Sequence, residues 1–364
     1  MKNIVFFDAC LTRGGAERQA SLLMNMLIDK GYTVTLTTFE DSEDCYPLSD
    51  QITRKRLAPG KPRLVKMCSI FHYLFHVKAD VVFAFSQRLS VLAIPALLFR
   101  PKVKLISGER NCTVVQKMWE KILIKTRIYK RSDYIVSNSY AQVRYLKSVM
   151  PSITSKLRTI TNYTDLSKYA FHPMPNNETL KVGLFCRYEW QKNFHGLIEA
   201  IHRLVLEGKT VDYHIDWYGR KSFSNPKLQA YFQEGVDLIK KYSLEAIFTL
   251  HDNTDKVAEL IPKYDVLCLP SFHEGFSNSL SEYICCGRPV LCSDVSDNSI
   301  MVHNGENGFI FNPNSIDEIV DAFKQFFALT EAQRVEMGKR SREIAEQLFD
   351  ADRFINDYIA IIEA

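Results

Sequence analysis

The chain has 364 residues, 46% of them apolar and 24% charged, with a formal net charge of +4. These are the proportions of an ordinary globular protein long enough to build two cores. No apolar run approaches a membrane span of roughly 18 residues and the N-terminus does not read as a signal peptide; the nine cysteines lack metal-ligand or disulfide-framework spacing, so free thiols in a reducing cytoplasm are expected.

The small net charge hides an asymmetry. Residues 1–176 hold 27 Lys and Arg against 13 Asp and Glu, whereas the remainder holds 19 against 29. A basic first half joined to an acidic second half suits one of them to a polyanion or an anionic membrane surface.

Residues 4–8 read as the first strand, followed by Leu11-Thr12-Arg13-Gly14-Gly15-Ala16-Glu17-Arg18 and a helix with apolar Leu22, Leu23, Met26 and Leu27. Strand, glycine pair and helix form a Rossmann-type cradle for phosphate or sugar, without the Gly-x-Gly-x-x-Gly spacing. Many tight strand-to-helix turns also use a glycine pair. Residues 32–39 alternate as a second strand, and 40–50 form an acidic surface loop. Residues 61–76 read as a helix with a basic start and an apolar, aromatic body, partly buried in the domain or, alternatively, lying on a membrane surface. A strand (79–85), an apolar helix (89–98) and another strand (103–107) lead to Gly108-Glu109-Arg110-Asn111 at the cleft end of the first sheet. An Arg-Asn pair there suits a sugar or phosphate, and equally a helix-capping turn. Residues 119–131 read as one helix carrying Lys121, Lys125, Arg127, Lys130 and Arg131, a candidate face for anionic headgroups although charge runs are usually just solvated. Strands at 134–137 and 157–162 close this half, and 171–178, with two prolines and two asparagines, reads as a linker.

The second half restarts the pattern. A strand (180–185) leads through Cys186-Arg187-Tyr188-Glu189-Trp190-Gln191-Lys192-Asn193 into a helix (194–206). Two cations five apart at such a turn can neutralise a diphosphate from two sides. A strand (213–218), a helix (226–241) and a strand (247–250) ending at His251-Asp252-Asn253 follow. Residues 264–269 are a buried strand ending at Pro270, and after a loop a helix starts near Ser277 or Asn278, with Leu280, Tyr283 and Ile284 on one inward face. Gly287 is its expected stop, with Pro289 opening the next strand. Glu274 lies in the loop and Glu282 on the second turn of the helix. The helix start offers free N–H groups to an anion, Gly275 permits close backbone approach, and Glu282 could accept both hydroxyls of a ribose. Taken alone, the two glutamates also read as a loop acid and a solvated helix residue. A strand (309–311), helices at 316–327 and 331–349, and a segment 351–362 complete the chain.

The run from Pro270 to Asp294 resembles the signature of the retaining glycosyltransferases of family 4, matching it at Glu274, Gly275, Phe276, Asn278, Glu282, Cys286, Gly287, Pro289 and Val290. The resemblance implies the α/β fold called GT-B, two Rossmann-like domains facing across a cleft. Residues 1–170 would form the acceptor-side domain, 171–178 the linker and 179–349 the nucleotide-sugar domain, with 350–364 packing back on the first. Thr161-Asn162-Tyr163-Thr164-Asp165 looks like the family's Asn-x-x-Asp turn at the end of the first domain.

Residue by residue, the resemblance carries over Arg187 and Lys192 as diphosphate ligands, with Cys186 where the family has glycine. Glu274 would contact the donor sugar and share the catalytic role with both cations. Glu282 would bind ribose, and Gly275, Phe276, Ser277, Asn278, Ser279, Gly15 and Asn253 would complete the donor site. Gly14, Glu109, Arg110 and Asn111 would face the acceptor, although many members carry a histidine near Glu109. The implied activity is transfer of a hexose or N-acetylhexosamine from a nucleotide sugar, UDP-linked by preference, to a glycan acceptor, lipid-linked, in surface polysaccharide assembly. Neither metal nor cofactor is expected, and no Asp-x-Asp stands in a plausible metal loop. Nucleic acid is not an expected partner. The expected location is cytoplasmic, peripheral on the inner face of the cytoplasmic membrane. A sugar-phosphate-binding module without catalysis, or a phosphorylase or epimerase on the same scaffold, is the alternative.

Overall fold

The computed structural model describes residues 2–12, 14–110, 118–208 and 212–364. It separates into two compact units, Met1–Tyr163 with Ala351–Ala364, and Thr164–Asp350. Each is built on one parallel sheet.

In the first unit the strands are β1 (Asn3–Phe7), β2 (Thr33–Thr38), β3 (Thr53–Arg56), β4 (Val81–Ala84), β5 (Lys104–Glu109), β6 (Tyr134–Ser137) and β7 (Leu157–Thr159), in the order β3-β2-β1-β4-β5-β6-β7. Residues 4–7 of β1 and all of β4 are apolar and buried, as in parallel strands covered on both faces, so no alternation shows in their sequence. Phe6 and Phe83 stack across them with ring centres 5.2 Å apart. Edge strand β3, Thr-Arg-Lys-Arg, has all four residues exposed and pairs with β2 through its backbone ladder.

The expected single helix over 119–131 is broken. The helix is Met118–Lys125, Arg127 takes a left-handed φ of 54°, and Ile128–Arg131 forms a 3₁₀ turn. Arg131 turns inward and donates to the carbonyls of Leu97, Arg100 and Val103, so it ties helix and strand ends together instead of meeting headgroups. The final helix, Ala351–Glu363, buries Phe354, Ile355, Tyr358, Ile361 and Ile362 in the core of this unit. Its last carbonyls are met by lysines: Ile362 O accepts from Lys2 Nζ at 2.6 Å and from Lys104 Nζ at 2.8 Å.

The second unit contains β8 (Leu180–Phe185), β9 (Tyr213–Tyr218), β10 (Phe248–His251), β11 (Val266–Leu269), β12 (Val290–Ser293) and β13 (Gly308–Phe311), ordered β10-β9-β8-β11-β12-β13. Its order reverses beside β8, the place where such sheets open a crevice at their carboxyl ends. The segment 171–178 is part of this unit and not a free linker. Arg288, fully buried, donates to the carbonyls of His172 and Pro173, and burial lowers its guanidinium to about 10. Gly287, with φ 69°, ends the preceding helix in the left-handed conformation that favours glycine. Among the described residues no helix is long and apolar enough to cross a membrane.

Candidate active site

The candidate donor site lies at the carboxyl end of β8. The 3₁₀ turn Trp190–Lys192 and Asn193, at φ 54°, swing the chain into the helix Phe194–Leu206. Asn tolerates this left-handed backbone better than most residues, and its Nδ2 donates to Pro313 O at 2.9 Å. The turn is laced to the loop after β11. Phe272 N donates to Gln191 O at 2.9 Å, Gln191 Nε2 donates to His273 O at 3.0 Å, and the Trp190 and Phe272 rings stack 5.0 Å apart.

This lacing brings two of the expected residues together. Lys192 Nζ donates to Glu274 Oε1, and the two side chains are only 11% and 9% exposed. Arg187 is 60% exposed and lies 3.2 Å from Glu189. The three charges surround Cys186, whose thiol is pushed up to about 12 chiefly by burial; Glu274 adds to the rise, and Lys192 and Arg187 oppose it. Where the family has glycine, this chain thus carries a neutral, unreactive thiol.

The helix Asn278–Cys285 begins beside these loops. Ser277 caps it, its Oγ accepting from Leu280 N at 3.4 Å. Ser279 Oγ donates to Phe185 O at 3.2 Å, and Phe185 N donates to Tyr283 Oη at 2.9 Å, so the helix start is locked to the end of β8. Leu280, Tyr283 and Ile284 are buried as the helical spacing requires. Glu282 is buried too, so it is not a solvated helix residue. Phe276 packs edge-on against Phe349, while Gly275, Asn278 and Ser279 are half-buried. N–H groups of the first turn, with the positive end of the helix dipole, supply a third source of positive potential.

Sequence reasoning missed an aromatic row across the neighbouring strand ends. Phe185 stacks on Tyr218 at 4.8 Å and Tyr218 on His251 at 4.3 Å. His251 Nε2 lies 2.6 Å from Asp216 Oδ1, and Tyr264 Oη bonds Tyr218 Oη at 3.0 Å. The available signal was Asp216 and Tyr218 two apart, and so on one face of β9. Asn253 stands just beyond His251 on the exposed edge, with its N–H on Asp252 Oδ1 at 2.8 Å.

The acceptor-side candidates lie on the first unit. Gly14 N donates to Tyr46 Oη at 3.1 Å, and Gly15 opens the helix Gly15–Asp29 in an exposed position. A Cβ on Gly14 would come within 2.0 Å of the Glu17 carboxylate, which folds back over it. Arg110 lies 4.2 Å from the centre of the Phe85 ring and donates to Tyr358 Oη at 3.0 Å. Glu109, expected at the cleft surface, is fully buried and accepts from Gln87 Nε2, Gln142 Nε2 and Tyr129 Oη. A carboxylate so enclosed acts as an anchor for three elements instead of an open acceptor contact. Asn111 lies outside the described residues. Asp8, which sequence reading passed over, sits just past β1; burial raises its carboxyl to about 7, Glu17 and Glu40 adding to the rise and Arg110 opposing it.

A cation pair, buried glutamates and a capped helix start at the carboxyl end of an open parallel sheet are the parts of a crevice suited to an anionic ligand. Comparison with known proteins agrees. Residues 170–344 match the model of the glycosyl transferases group 1, and residues 13–168 that of glycosyltransferase family 4. The chain belongs to the family-4 (group 1) glycosyltransferases.

Among curated relatives, it is 24% identical over 305 residues to the amylovoran biosynthesis glycosyltransferase AmsD of Erwinia amylovora, covering 80% of this chain and 81% of that protein. It is 26% identical over 316 residues to the N-acetylgalactosamine-N,N'-diacetylbacillosaminyl-diphospho-undecaprenol 4-alpha-N-acetylgalactosaminyltransferase of Campylobacter jejuni, covering 81% of each. Among solved structures, Anabaena HepE with UDP and glucose superposes with a TM-score of 0.83 at 17% identity over the whole of both chains. That likeness shows the GT-B fold.

Proposed function

We propose that the protein is a retaining glycosyltransferase that moves a hexose or N-acetylhexosamine from a UDP-sugar to a lipid-linked glycan in surface polysaccharide assembly. The observation that carries this reading is the Lys192–Glu274 pair, buried at the end of β8 beside Arg187 and the start of the helix Asn278–Cys285. The Anabaena structures with UDP and UDP-glucose favour a uridine donor. The AmsD and Campylobacter relatives, by their names, favour a polysaccharide and a polyprenyl-diphosphate acceptor.

When the bond between the anomeric carbon and the diphosphate breaks, the electron pair leaves with the phosphate oxygen. Arg187, the remaining N–H donors of Lys192 and the helix N–H groups meet that charge, a role filled elsewhere by a metal ion. Glu274 places a carboxylate beside the sugar, where positive charge develops on the ring. Glu282 takes the ribose hydroxyls. The acceptor hydroxyl attacks from the face the phosphate leaves, and a non-bridging phosphate oxygen takes its proton. A panel of UDP- and GDP-linked sugars, with NMR of the new anomeric centre, tests this: an α-linked product from an α-linked UDP-sugar is expected. A β-linked product would remove the retaining mechanism, and turnover only with inorganic phosphate would make the protein a phosphorylase.

A further inference from the structure

The turn that carries Lys192 also carries a large side chain to which the reaction above gives no part. Trp190 is 55% exposed, whereas Trp217 of the same unit is fully buried. A single exposed apolar residue is ordinary on a protein surface. This one is fixed through both backbone and ring. Its carbonyl accepts from Asn193 N at 2.9 Å, and on either side of it Lys192 N donates to Glu189 O at 2.9 Å. The indole stacks on Phe272 with centres 5.0 Å apart and planes 26° apart, and the His273 ring lies 5.7 Å away. Phe272 is tied in turn by its N–H to Gln191 O at 2.9 Å. Two loops thus share one aromatic ledge, with the indole backed by protein and more than half of its surface left to solvent.

The place of the ledge selects its ligand. The loops carrying Trp190 and Phe272 follow β8 and β11, the paired strands at which the order of this sheet reverses. Lys192 and Glu274, which meet each other, stand two residues further along each loop. An indole is negative on its face, so it takes up the C–H face of a pyranose ring. Half-buried Glu189 and Gln191 and exposed Arg187, in the same turn, offer groups for the sugar hydroxyls. A diphosphate has no use for such a face. Asn253, expected on the nucleotide, follows β10, two strands away from β8. The transferred sugar falls to Glu274, whose side chain is nearly enclosed. A ring resting on exposed Trp190 is therefore one that the protein receives.

We propose that Trp190, backed by Phe272, is a stacking platform on the second unit for a pyranose ring of the glycan acceptor. A rigid, amphipathic ring of this size provides much contact at little cost in side-chain ordering, because the stack on Phe272 has already fixed it. That the bound ring belongs to an acceptor rests on the transferase reading above; that a pyranose binds there does not, and a measurement without turnover separates the two.

Equilibrium binding to the full chain tests it. Methyl glycosides of glucose, galactose, mannose, N-acetylglucosamine and N-acetylgalactosamine are titrated with UDP present, and read by tryptophan emission and by saturation-transfer NMR. At least one of them is expected to change the wild-type emission saturably and to receive magnetisation on the ring protons of one face, while glycerol does neither. Trp190→Phe, which keeps a ring on Phe272, loses the emission change and binds that sugar about threefold more weakly; Trp190→Ala binds it about tenfold more weakly. Thermal melts of Trp190→Phe matching wild type separate a lost contact from a lost fold. No pyranoside binding by the wild type, wild-type affinity in Trp190→Ala, or an emission change produced in full by UDP alone overturns the proposal. Sugar binding through Trp190 with no transfer from any nucleotide sugar would leave the platform standing and remove the transferase reading instead.

Discussion

Burial decides what the charged residues can do here. Asp8 carries a carboxyl raised to about 7, first by burial and then by Glu17 and Glu40. In the unfolded chain it ionises near 4, so the folded state binds more protons than the unfolded one between these values, and this site loses stability as pH rises from about 4 to about 7. Asp8→Asn keeps the oxygen that accepts from Ala9 N at 2.7 Å and removes the charge. Paired thermal melts are therefore expected to show the variant stabilised over wild type by on the order of 2–4 kcal/mol at pH 8. That gain disappears at pH 4. A gain independent of pH would mean that Asp8 is not held neutral. Its position after an all-apolar strand was plain in the sequence, but its isolation from water was not. Lys192 and Glu274 show the same limit: 82 residues apart, they could be read as ligands by resemblance, while their contact depends on how two loops are laced.

At the level of elements, the proposed donor site depends on how the helix Asn278–Cys285 is held. Its attachment rests on Tyr283, whose hydroxyl accepts the buried Phe185 N–H at 2.9 Å. Tyr283→Phe strands that donor at a cost of about 1–3 kcal/mol. Urea unfolding is expected to show a midpoint lowered accordingly, with UDP affinity falling as the helix start loosens from β8. An unchanged midpoint would mean that another group satisfies Phe185 N. Apolar strands and amphipathic helices such as Ile316–Phe327 were legible because burial imposes their periodicity. Strand β3 was not, since Thr-Arg-Lys-Arg has no apolar residue and owes its place to backbone pairing and polar contacts such as Arg54 with Asp44. The break at Arg127 was equally hidden: a left-handed residue inside a helix-like pattern leaves no mark unless it is glycine or asparagine.

Across the molecule, two sheets of the same design carry opposite charge. The first unit is basic; the second is acidic yet concentrates Arg187 and Lys192 at one strand end. An acidic domain that keeps two cations in one loop is expected to spend them on one anion. The family signature made this loop and its partner helix recognisable. It did not show that residues 171–178 are clamped by a buried arginine, because that depends on Arg288 reaching carbonyls more than a hundred residues away.

In the proposed reaction Arg187, Lys192 and the helix start meet the charge of the departing diphosphate without a metal. Single-turnover transfer from the preferred UDP-sugar, with and without EDTA, for wild type and Lys192→Ala, tests it most directly. The expected result is a wild-type rate unchanged by EDTA and a variant slower by about 10²–10³-fold in both conditions. A wild-type rate that collapses in EDTA and returns with a divalent cation, or a variant as fast as wild type, would contradict it.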